Sequence, residues 1–221
     1  MSQIVKIKSI EHLTHDVLKI VLDKPKELVY HPGQAVDVSI NKGKWTTELR
    51  PFTFTSLPED NFIEFNIKTY PSHKGVTNEL LSLHPGDELI IGDVFGEISY
   101  KGEGIFIAGG AGVTPFIAIL KYLEKKHLIG NSKLIFANKT RGDIILENHF
   151  TKLLGKNFVN VLSDEKVEGF EHGYITADII KKHMNNHKYF YLCGPPPMME
   201  AIEKQLQSLG IDKSAIIREG F

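Results

Sequence analysis

The second half of the chain alternates apolar strand-like segments with amphipathic helix-like segments, and this alternation constrains its fold most. From Gly104 onward, GIFIAGG precedes TPFIAILKYLEKKH, and three similar pairs follow. Strand–helix pairs in succession predict a parallel sheet with right-handed crossovers. The four predicted pairs are 104–110 with 114–127, 133–140 with 143–154, 157–165 with 176–184, and 188–194 with 196–210.

The first half reads instead as short strands separated by Pro-Gly or Gly turns. Six segments rich in β-branched residues at this spacing predict a small antiparallel barrel. Residues 75–83, GVTNELLSL, interrupt them with helical spacing. We therefore predict an all-β domain at 1–101 and a Rossmann-like α/β domain at 102–221. The predicted strands are 4–10, 15–23, 34–40, 50–56, 62–70 and 88–94.

Residues 50–56, RPFTFTS, alternate aromatic rings with hydroxyls after an arginine and a proline. Side chains alternate between the two faces of a strand, so Phe52 and Phe54 would share one face and Thr53 and Thr55 the other. Burial of the rings explains the first face. The hydroxyl face either meets water on an edge strand or meets a polar ligand.

Composition excludes several classes of protein. A formal net charge of −1 gives no electrostatic footprint for nucleic acid. The amino-terminal residues lack a continuous apolar core, so we expect no signal peptide and no membrane insertion. The single cysteine excludes an internal disulfide and a Cys₄ iron–sulfur cluster within the chain, and the ten histidines show no metal-ligand spacing. We expect a cytoplasmic protein without a metal, whose redox chemistry must come from a cofactor.

A glycine turn, GGAGVTP at 109–115, follows the first strand of the second half and opens its first helix. Gly110, Gly112 and Pro115 fit G-x-G-x-x-P, which approaches the dinucleotide fingerprint but lacks its third glycine. Glycines let the backbone approach a pyrophosphate, and a helix amino terminus offers free N–H groups. We expect Thr114 to cap the helix and Pro115 to lie in its first turn. The alternative is a tight turn without a ligand.

The next strand ends in a basic segment. Asn138, Lys139 and Arg141 stand where an acid usually binds the ribose of a dinucleotide. By physical chemistry alone, this basic end favours a 2′-phosphate over a free hydroxyl.

The segment LCGPPPMM at 192–199 follows the last predicted strand. Ligands of open α/β sheets bind outside the carboxyl ends of strands, which is where Cys193 and Gly194 would lie. The three prolines predict a rigid loop that holds both residues in place. Alternatively, Cys193 is only a small buried hydrophobic residue.

Together these motifs resemble those of the ferredoxin–NADP reductase family, in which a flavin-binding barrel precedes a nicotinamide-binding α/β domain. RPFTFTS is similar to the family's Arg-x-Tyr-Ser flavin motif, with Arg50, Phe52 and Thr53 at the fixed positions. GVTN at 75–78 is similar to its Gly-x-x-Ser/Thr turn, and GGAGVTP and CGPPPMM to its two nicotinamide motifs. The resemblance spans essentially the whole chain, in the same order, and implies FAD with NADH or NADPH as co-substrate.

The resemblance also implies roles for individual residues. Arg50 would bind the FAD pyrophosphate, Phe52 would lie against the isoalloxazine ring, and Thr53 would reach flavin N5. Phe52 replaces the family's tyrosine, so it can stack but cannot hydrogen-bond the ribityl chain. Tyr70 would touch the adenine side of FAD or be an ordinary strand tyrosine. The expected cofactor contacts are Arg50, Pro51, Phe52, Thr53, Lys68, Tyr70, Gly75, Val76, Thr77, Gly110, Gly112, Thr114, Pro115, Asn138, Lys139, Arg141, Cys193, Gly194, Pro195, Met198 and Phe221.

The chain ends IREGF, which resembles the family's acid-x-aromatic carboxyl terminus. Phe221 would cover the flavin face that the nicotinamide must reach, and Glu219 would lie near Thr53 and Cys193 as a proton or charge partner. These four residues form the expected catalytic set. The alternative is a frayed terminus.

The expected activity is hydride transfer from NAD(P)H to FAD, followed by electron transfer to a separate protein such as a ferredoxin or flavodoxin. FANKTRGDIIL is most similar to the corresponding segment of NADH-using relatives such as cytochrome b5 and nitrate reductases. This favours NADH and opposes the 2′-phosphate argument. We expect a monomer or weak dimer. The alternatives are a reductase subunit of a larger complex, such as a multicomponent oxygenase, and a non-catalytic nucleotide-binding module.

Overall fold

The first half of the chain folds into a six-stranded antiparallel barrel. The structure, a computed structural model, describes residues 2–96 and 98–218. The strand order is β4-β3-β6-β1-β2-β5, and a bridge between Phe54 and Phe65 joins the two outer strands. The strands are β1 (Gln3–Thr14), β2 (Val17–Asp23), β3 (Ala35–Ile40), β4 (Arg50–Thr53), β5 (Phe62–Lys68) and β6 (Glu88–Phe95).

Aromatic rings fill the barrel core. Phe54 is fully buried, stacks on Tyr30 at 4.1 Å between ring centroids and lies 5.2 Å from Phe65. The buried Tyr30 hydroxyl donates to the carbonyl oxygen of Leu57 at 2.9 Å. The predicted helical spacing after Gly75 is confirmed as helix α1 (Val76–Glu79), which continues into a 3-10 turn.

The second half folds into a six-stranded parallel sheet in the order β10-β9-β8-β7-β11-β12, so the predicted fold class is confirmed. Helices α2 and α3 pack on one sheet face and α4 and α5 on the other. Of the helices within the described ranges, none has the length and apolar content that a membrane span requires. The elements are β7 (Gly104–Gly109), α2 (Thr114–Lys125), β8 (Lys133–Asn138), α3 (Glu147–Leu154), β9 (Phe158–Leu162), β10 (Glu171–His172), α4 (Ala177–Met184), β11 (Tyr189–Cys193), α5 (Pro196–Ser208) and β12 (Ile216–Arg218).

The helix predicted at 143–154 begins later than expected. Thr140 and Asp143 form a reciprocal capping box around a 3-10 turn at Arg141–Asp143. Leu146 then adopts a left-handed conformation with φ of 55°, and α3 starts at Glu147. The local hydrogen bonds of the turn therefore override the apolar spacing of residues 144–146.

Tyr191 fixes the segment that connects the two sheets. Its hydroxyl donates to the Gly102 carbonyl oxygen at 2.7 Å and accepts from the backbone N–H groups of Lys101 and Gly102 at 2.9 and 3.1 Å. Burial raises the pKa of this phenol to about 12, so it stays protonated. The domain boundary between residues 101 and 102 stays a prediction.

Phe54→Ala should destabilise the protein by about 3–5 kcal/mol, because the cavity left between Tyr30 and Phe65 cannot fill. Urea unfolding measures the loss. Val29→Ala, at a position 77% exposed in the same half, is the control and should stay within about 0.5 kcal/mol of wild type. Equal losses from both variants would contradict the role of Phe54 as the central core ring.

Candidate functional site

The hydroxyls of residues 53–56 are buried. Those of Thr53 and Thr55 point away from the aromatic core, whereas that of Ser56 lies 2.9 Å from the Tyr30 hydroxyl. Thr53 is 5% exposed and Thr55 is fully buried. The Thr55 hydroxyl donates to Glu64 Oε1 at 2.8 Å, and the Ser56 hydroxyl accepts from the Glu64 backbone N–H at 2.9 Å. The alternative of an edge strand with hydroxyls in water is therefore wrong.

Asn66 lies beside Thr53 and was not predicted from the sequence. The antiparallel bridge between Phe54 and Phe65 places Thr53 opposite Asn66 on the outer face of the barrel. Asn66 is 5% exposed, and both its Nδ2 and Oδ1 atoms lack a hydrogen-bond partner among the described residues. A buried amide without partners is costly, which marks this spot as a place for a polar ligand. The signal was present in the sequence as an asparagine within the apolar strand FIEFNIK.

Arg50 presents an exposed guanidinium at the start of β4. Its side chain is 47% exposed, donates to the Leu49 carbonyl oxygen at 2.6 Å and lies 3.7 Å from the Glu48 carboxylate. The exposed Arg50 guanidinium can therefore bind a pyrophosphate without breaking a buried interaction. Phe52 is half-buried, with its ring 6.3 Å from that of Phe65, and the neighbouring Pro51 is exposed.

The turn at Gly75 combines a fixed anchor with open space. Val76 is 1% exposed and packs in the barrel core, which holds the start of α1 in place. A Cβ built on Gly75 would meet nothing within 4 Å, and Thr77 beside it is half-buried. The backbone is therefore accessible to a ligand at this turn.

Lys68 ends β5 and Tyr70 lies in the turn after it, and their expected contacts with FAD stay predictions. The Lys68 ammonium lies 2.7 Å from Asp16 Oδ2. Burial opposes ionisation of Asp16, yet its bond to Lys68 holds the pKa of that carboxyl below its usual value. Tyr70 is not a strand residue, because β5 ends at Lys68. It is 43% exposed and stacks on His73 at 5.4 Å, in the turn that follows the strand.

The two motifs of the second half meet at the carboxyl edge of the parallel sheet. A Cβ on Gly112 would come within 2.4 Å of the Cys193 carbonyl oxygen and 2.7 Å of Gly194 Cα. A Cβ on Gly109 would come within 2.2 Å of Met198 Sδ and 3.1 Å of Pro195 Cδ. Gly109 and Gly112 therefore let the segment from Cys193 to Met198 pack directly against the glycine turn, which a residue with a Cβ would prevent.

Gly110 leaves space where the helix α2 approaches the sheet edge. Its φ is +51° and an added Cβ would meet nothing within 4 Å. Thr114 is not the helix cap as predicted. It is the first residue of α2, and its hydroxyl donates to the Ala111 carbonyl oxygen at 3.0 Å, while Pro115 lies in the first turn as expected.

The prolines after Cys193 begin a helix rather than form a loop. Pro196 and Pro197 lie in the first turn of α5, where a missing N–H costs nothing, and Pro195 precedes it. Cys193 is 2% exposed in the apolar cluster under α2. This agrees with the alternative that Cys193 is a small buried hydrophobic residue. Its catalytic role stays a prediction.

Carboxylates surround Arg141 at the end of β8. Its Nε and Nη2 atoms donate to Glu147 at 3.0 Å, and this bonding raises the pKa of the guanidinium. The Arg141 backbone N–H donates to Glu165 Oε2 at 2.7 Å, and the ring of Phe170 lies 5.6 Å from the guanidinium. Neither acid was predicted from the sequence, since both come from later elements. Asn138 Nδ2 is buried without a hydrogen-bond partner in the described part of the chain, and Lys139 is exposed.

The barrel and the glycine turn lie close together. Cα atoms of β5, which carries Asn66, approach those of Gly110–Val113 within 8 Å. After the roles that the resemblance implies, we call Arg50, Phe52, Thr53, Asn66 and Gly75 the flavin half-site and Gly110, Gly112, Asn138 and Cys193 the nucleotide half-site. The contact between β5 and the Gly110–Val113 turn is where the two approach each other. Glu219 and Phe221 lie outside the described residues.

Two family models cover most of the sequence. An FAD-binding domain matches residues 2–89, and an oxidoreductase NAD-binding domain matches residues 106–204. The chain belongs to the ferredoxin–NADP reductase-like family. The expectation of FAD and of a nicotinamide dinucleotide is confirmed at the level of these two domains.

Individual relatives agree with this assignment. NADH-cytochrome b5 reductase 2 of Mycosarcoma maydis is 30% identical over 220 residues, which cover 89% of this chain and 62% of the relative. The propane 2-monooxygenase reductase component of Mycolicibacterium goodii is 27% identical over 239 residues, which cover 98% of this chain and 66% of the relative. The structure of the CS-b5R domains of human Ncb5or in its NAD+ form has a TM-score of 0.86 at 27% identity, covering 99% of this chain and 69% of that one. The chain spans about two thirds or less of these two curated relatives.

The described residues fit both cofactors on physical grounds. The unpartnered amide of Asn66 and the exposed guanidinium of Arg50 suit the polar ring edge and the phosphates of FAD. The open backbone at Gly110 and the unpartnered Asn138 amide nitrogen suit a dinucleotide at the sheet edge.

Gly112→Ala should destabilise the protein by about 1–3 kcal/mol, because the new methyl group would push two backbone segments apart. Gly142→Ala is the matched control, since a Cβ there meets Thr140 Oγ1 at an ordinary 3.7 Å. Urea unfolding should place the control within about 0.5 kcal/mol of wild type. A Gly112 variant as stable as the control would show that the two motifs do not pack tightly.

Proposed function

We propose that the chain is an FAD-dependent oxidoreductase that takes a hydride from a nicotinamide dinucleotide and passes electrons to a separate acceptor. The observation that carries the proposal is the proximity of β5, with its unpartnered Asn66, to the Gly110–Val113 turn. When bound, FAD accepts a hydride from nicotinamide C4 at N5 and can release the two electrons one at a time. The protein's contribution is then alignment and electrostatics.

The flavin half-site supplies complementary groups in this proposal. Arg50 neutralises the pyrophosphate, and the open backbone at Gly75 receives the same phosphates. Phe52 stacks against the ring system, while the Thr53 hydroxyl and the Asn66 amide hydrogen-bond its polar edge. The Asn66 amide gains the partners it lacks, which offsets the cost of its burial.

The nucleotide half-site holds the dinucleotide against the same edge. Gly110 admits the pyrophosphate to the start of α2, while Gly112 lets the Cys193 segment pack against the same turn. The Asn138 amide donates to the ribose end. In this proposal the nicotinamide binds beside the Cys193 segment, as the resemblance implies.

We propose NADH as the preferred co-substrate. A 2′-phosphate would need the Arg141 guanidinium, but Glu147 holds it through bonds of 3.0 and 3.2 Å. Glu165 adds a second negative charge at this strand end. Two carboxylates repel a phosphate dianion, whereas ribose hydroxyls can donate to them.

The acceptor is proposed to be a separate electron-carrier protein. Relatives named as a cytochrome b5 reductase and as a reductase component of a monooxygenase support this class of partner. A ferredoxin-like or flavodoxin-like carrier and an oxygenase assembly are both compatible with those names. A cytoplasmic location and a monomeric or weakly dimeric state stay predictions.

The purified protein should show flavin absorption bands that stoichiometric NADH bleaches under anaerobic conditions. NADPH should bleach them more slowly, for the electrostatic reason given above. Visible absorption spectra before and after each addition measure both rates. Flavin bands that ignore both nucleotides would refute hydride transfer, and failure to bind added FAD would favour a non-catalytic module.

Glu147→Gln should raise kcat/KM for NADPH about fivefold, because it releases an exposed Arg141 from a pair of modest strength. The value for NADH should change less than about twofold. Glu171→Gln, which breaks the exposed Lys182 pair of 2.7 Å, is the matched control and should leave both values unchanged. A large loss with NADPH alone in a Lys139→Ala/Arg141→Ala variant would instead assign these bases to a 2′-phosphate and overturn the NADH preference.

A further inference from the structure

Helix α2 follows the nucleotide half-site and also contacts the barrel beside the flavin half-site. Its first turn follows Gly112 in the nucleotide half-site, while side chains further along the helix reach the barrel. Two of them are lysines one turn apart. Lys121 contacts Thr55 and Glu64, and Lys125 lies 3.0 Å from Glu59.

The Lys121 ammonium makes two bonds into the flavin half of the protein. It donates to the Thr55 carbonyl oxygen at 2.8 Å and to Glu64 Oε1 at 3.0 Å. The Lys121 side chain is 26% exposed and that of Glu64 only 7%. An ion pair so shielded from water has a strong preference for one geometry, because misplacement leaves a charge buried without its partner.

Glu64 is itself held rigidly to the strand that carries the flavin motif. Its Oε1 atom accepts from the Thr55 hydroxyl at 2.8 Å, and its backbone carbonyl accepts from the Thr55 N–H at 2.8 Å. Lys19 lies 3.9 Å from Oε2, but it donates to Glu11 at 2.8 Å. Lys121 is therefore the cation that links Glu64 across the two halves.

The link lies close to both reacting regions. Thr55 is two residues from Thr53 on the same strand face, roughly 7 Å along the chain. Lys121 is seven residues from Thr114, about 10 Å along a rigid helix. A displacement of Lys121 relative to Glu64 would therefore move Thr114 relative to Thr53.

The other contacts between α2 and the barrel are less directional. Gly33 packs against Ile98 and Ile119, and Val17 belongs to the same apolar cluster as α2. Apolar surfaces tolerate small sliding, since burial depends on area rather than direction. The Lys125 pair is exposed, with side chains 50% and 39% accessible, so water screens it.

We propose that Lys121 is a positioning residue that sets the register between the flavin and nucleotide half-sites. The inference rests on the proposed function, because the register matters only if a hydride crosses between them. Reacting atoms must lie about 3–3.5 Å apart, and a misplacement of about 1 Å can slow the step about 100-fold. A directional link between the halves meets this demand where apolar contacts alone would not.

The test compares Lys121→Met with Lys125→Met, which removes the exposed pair one turn along the same helix. Anaerobic stopped-flow mixing of the FAD-bound protein with NADH separates the limiting rate of flavin reduction from the Kd for NADH. In Lys121→Met the limiting rate should fall about 10- to 100-fold, with the Kd within about threefold of wild type. Lys125→Met should stay within about twofold in both. A Lys121 variant with the wild-type limiting rate would overturn the proposal.

A second variant separates positioning from stability. Lys121→Met/Glu64→Gln removes both charges, so it should recover the unfolding free energy that the single variant loses. Its limiting rate should remain at least about 10-fold below wild type. A rate that recovers together with stability would reduce Lys121 to a structural role and overturn the proposal.

The register itself is measurable without turnover. Backbone residual dipolar couplings of the full chain, recorded before any NADH is added, report the relative orientation of its two halves. Wild type and Lys125→Met should share one orientation, and Lys121→Met should differ; an unchanged orientation would overturn the proposal. If NADH fails to reduce wild-type flavin, the proposed function falls, while this measurement still decides the role of Lys121.

Discussion

The ring of Phe54 in the barrel core determines which side chains of residues 53–55 and of β5 point outward. Its stacking on Tyr30 and its contact with Phe65 fix the face that points inward. Because strand side chains alternate, Thr53 and Thr55 must then point outward. The bridge to Phe65 turns the neighbours of that residue outward as well. An apolar contact therefore selects the position of a polar site.

Helix α2 covers part of that outer face, because Lys121 bonds to Thr55 and Glu64. Its residues from Thr114 to Leu120 are all buried, and most belong to the apolar cluster that α2 shares with the parallel sheet, so the helix moves with that sheet rather than alone. The glycine turn before it is held by the backbone contact of Gly112 with Cys193. A single helix thus joins the sheet edge, where a dinucleotide fits, to the barrel strand with the flavin motif.

Periodicity predicted the architecture, because strand alternation and helical spacing are local properties of the sequence. Six barrel strands and four strand–helix pairs came from such patterns, and so did the outward face of Thr53. The pattern failed where short-range polar bonds compete, as at the turn between Thr140 and Asp143, and where Thr114 bonds back to Ala111. Strands of two or three residues, such as β10 and β12, are too short to show a period.

Long-range polar pairs lay beyond prediction for a different reason. Glu165 reaches the Arg141 backbone from 24 positions away, and Lys121 reaches Glu64 across 57. No local spacing encodes such partners, so the sequence shows only the basic residues at the end of β8, whereas the fold brings Glu147 and Glu165 to Arg141 and leaves Lys139 exposed. The single sequence shows charges, and only the fold shows which of them are already neutralised.

Glu64 and Asn66 show how structural and ligand-binding polar residues can be distinguished. They lie two apart on the same strand, face the same way and are 6% and 5% exposed. Glu64 has the Thr55 hydroxyl and the Lys121 ammonium as partners, so its burial is compensated within the fold. Asn66 has no hydrogen-bond partner for either amide atom among the described residues. Since burial of an unsatisfied amide costs free energy, Asn66 is the residue of the two that has hydrogen-bonding capacity left for a ligand, and its place opposite Thr53 supports the proposed contact with the flavin ring.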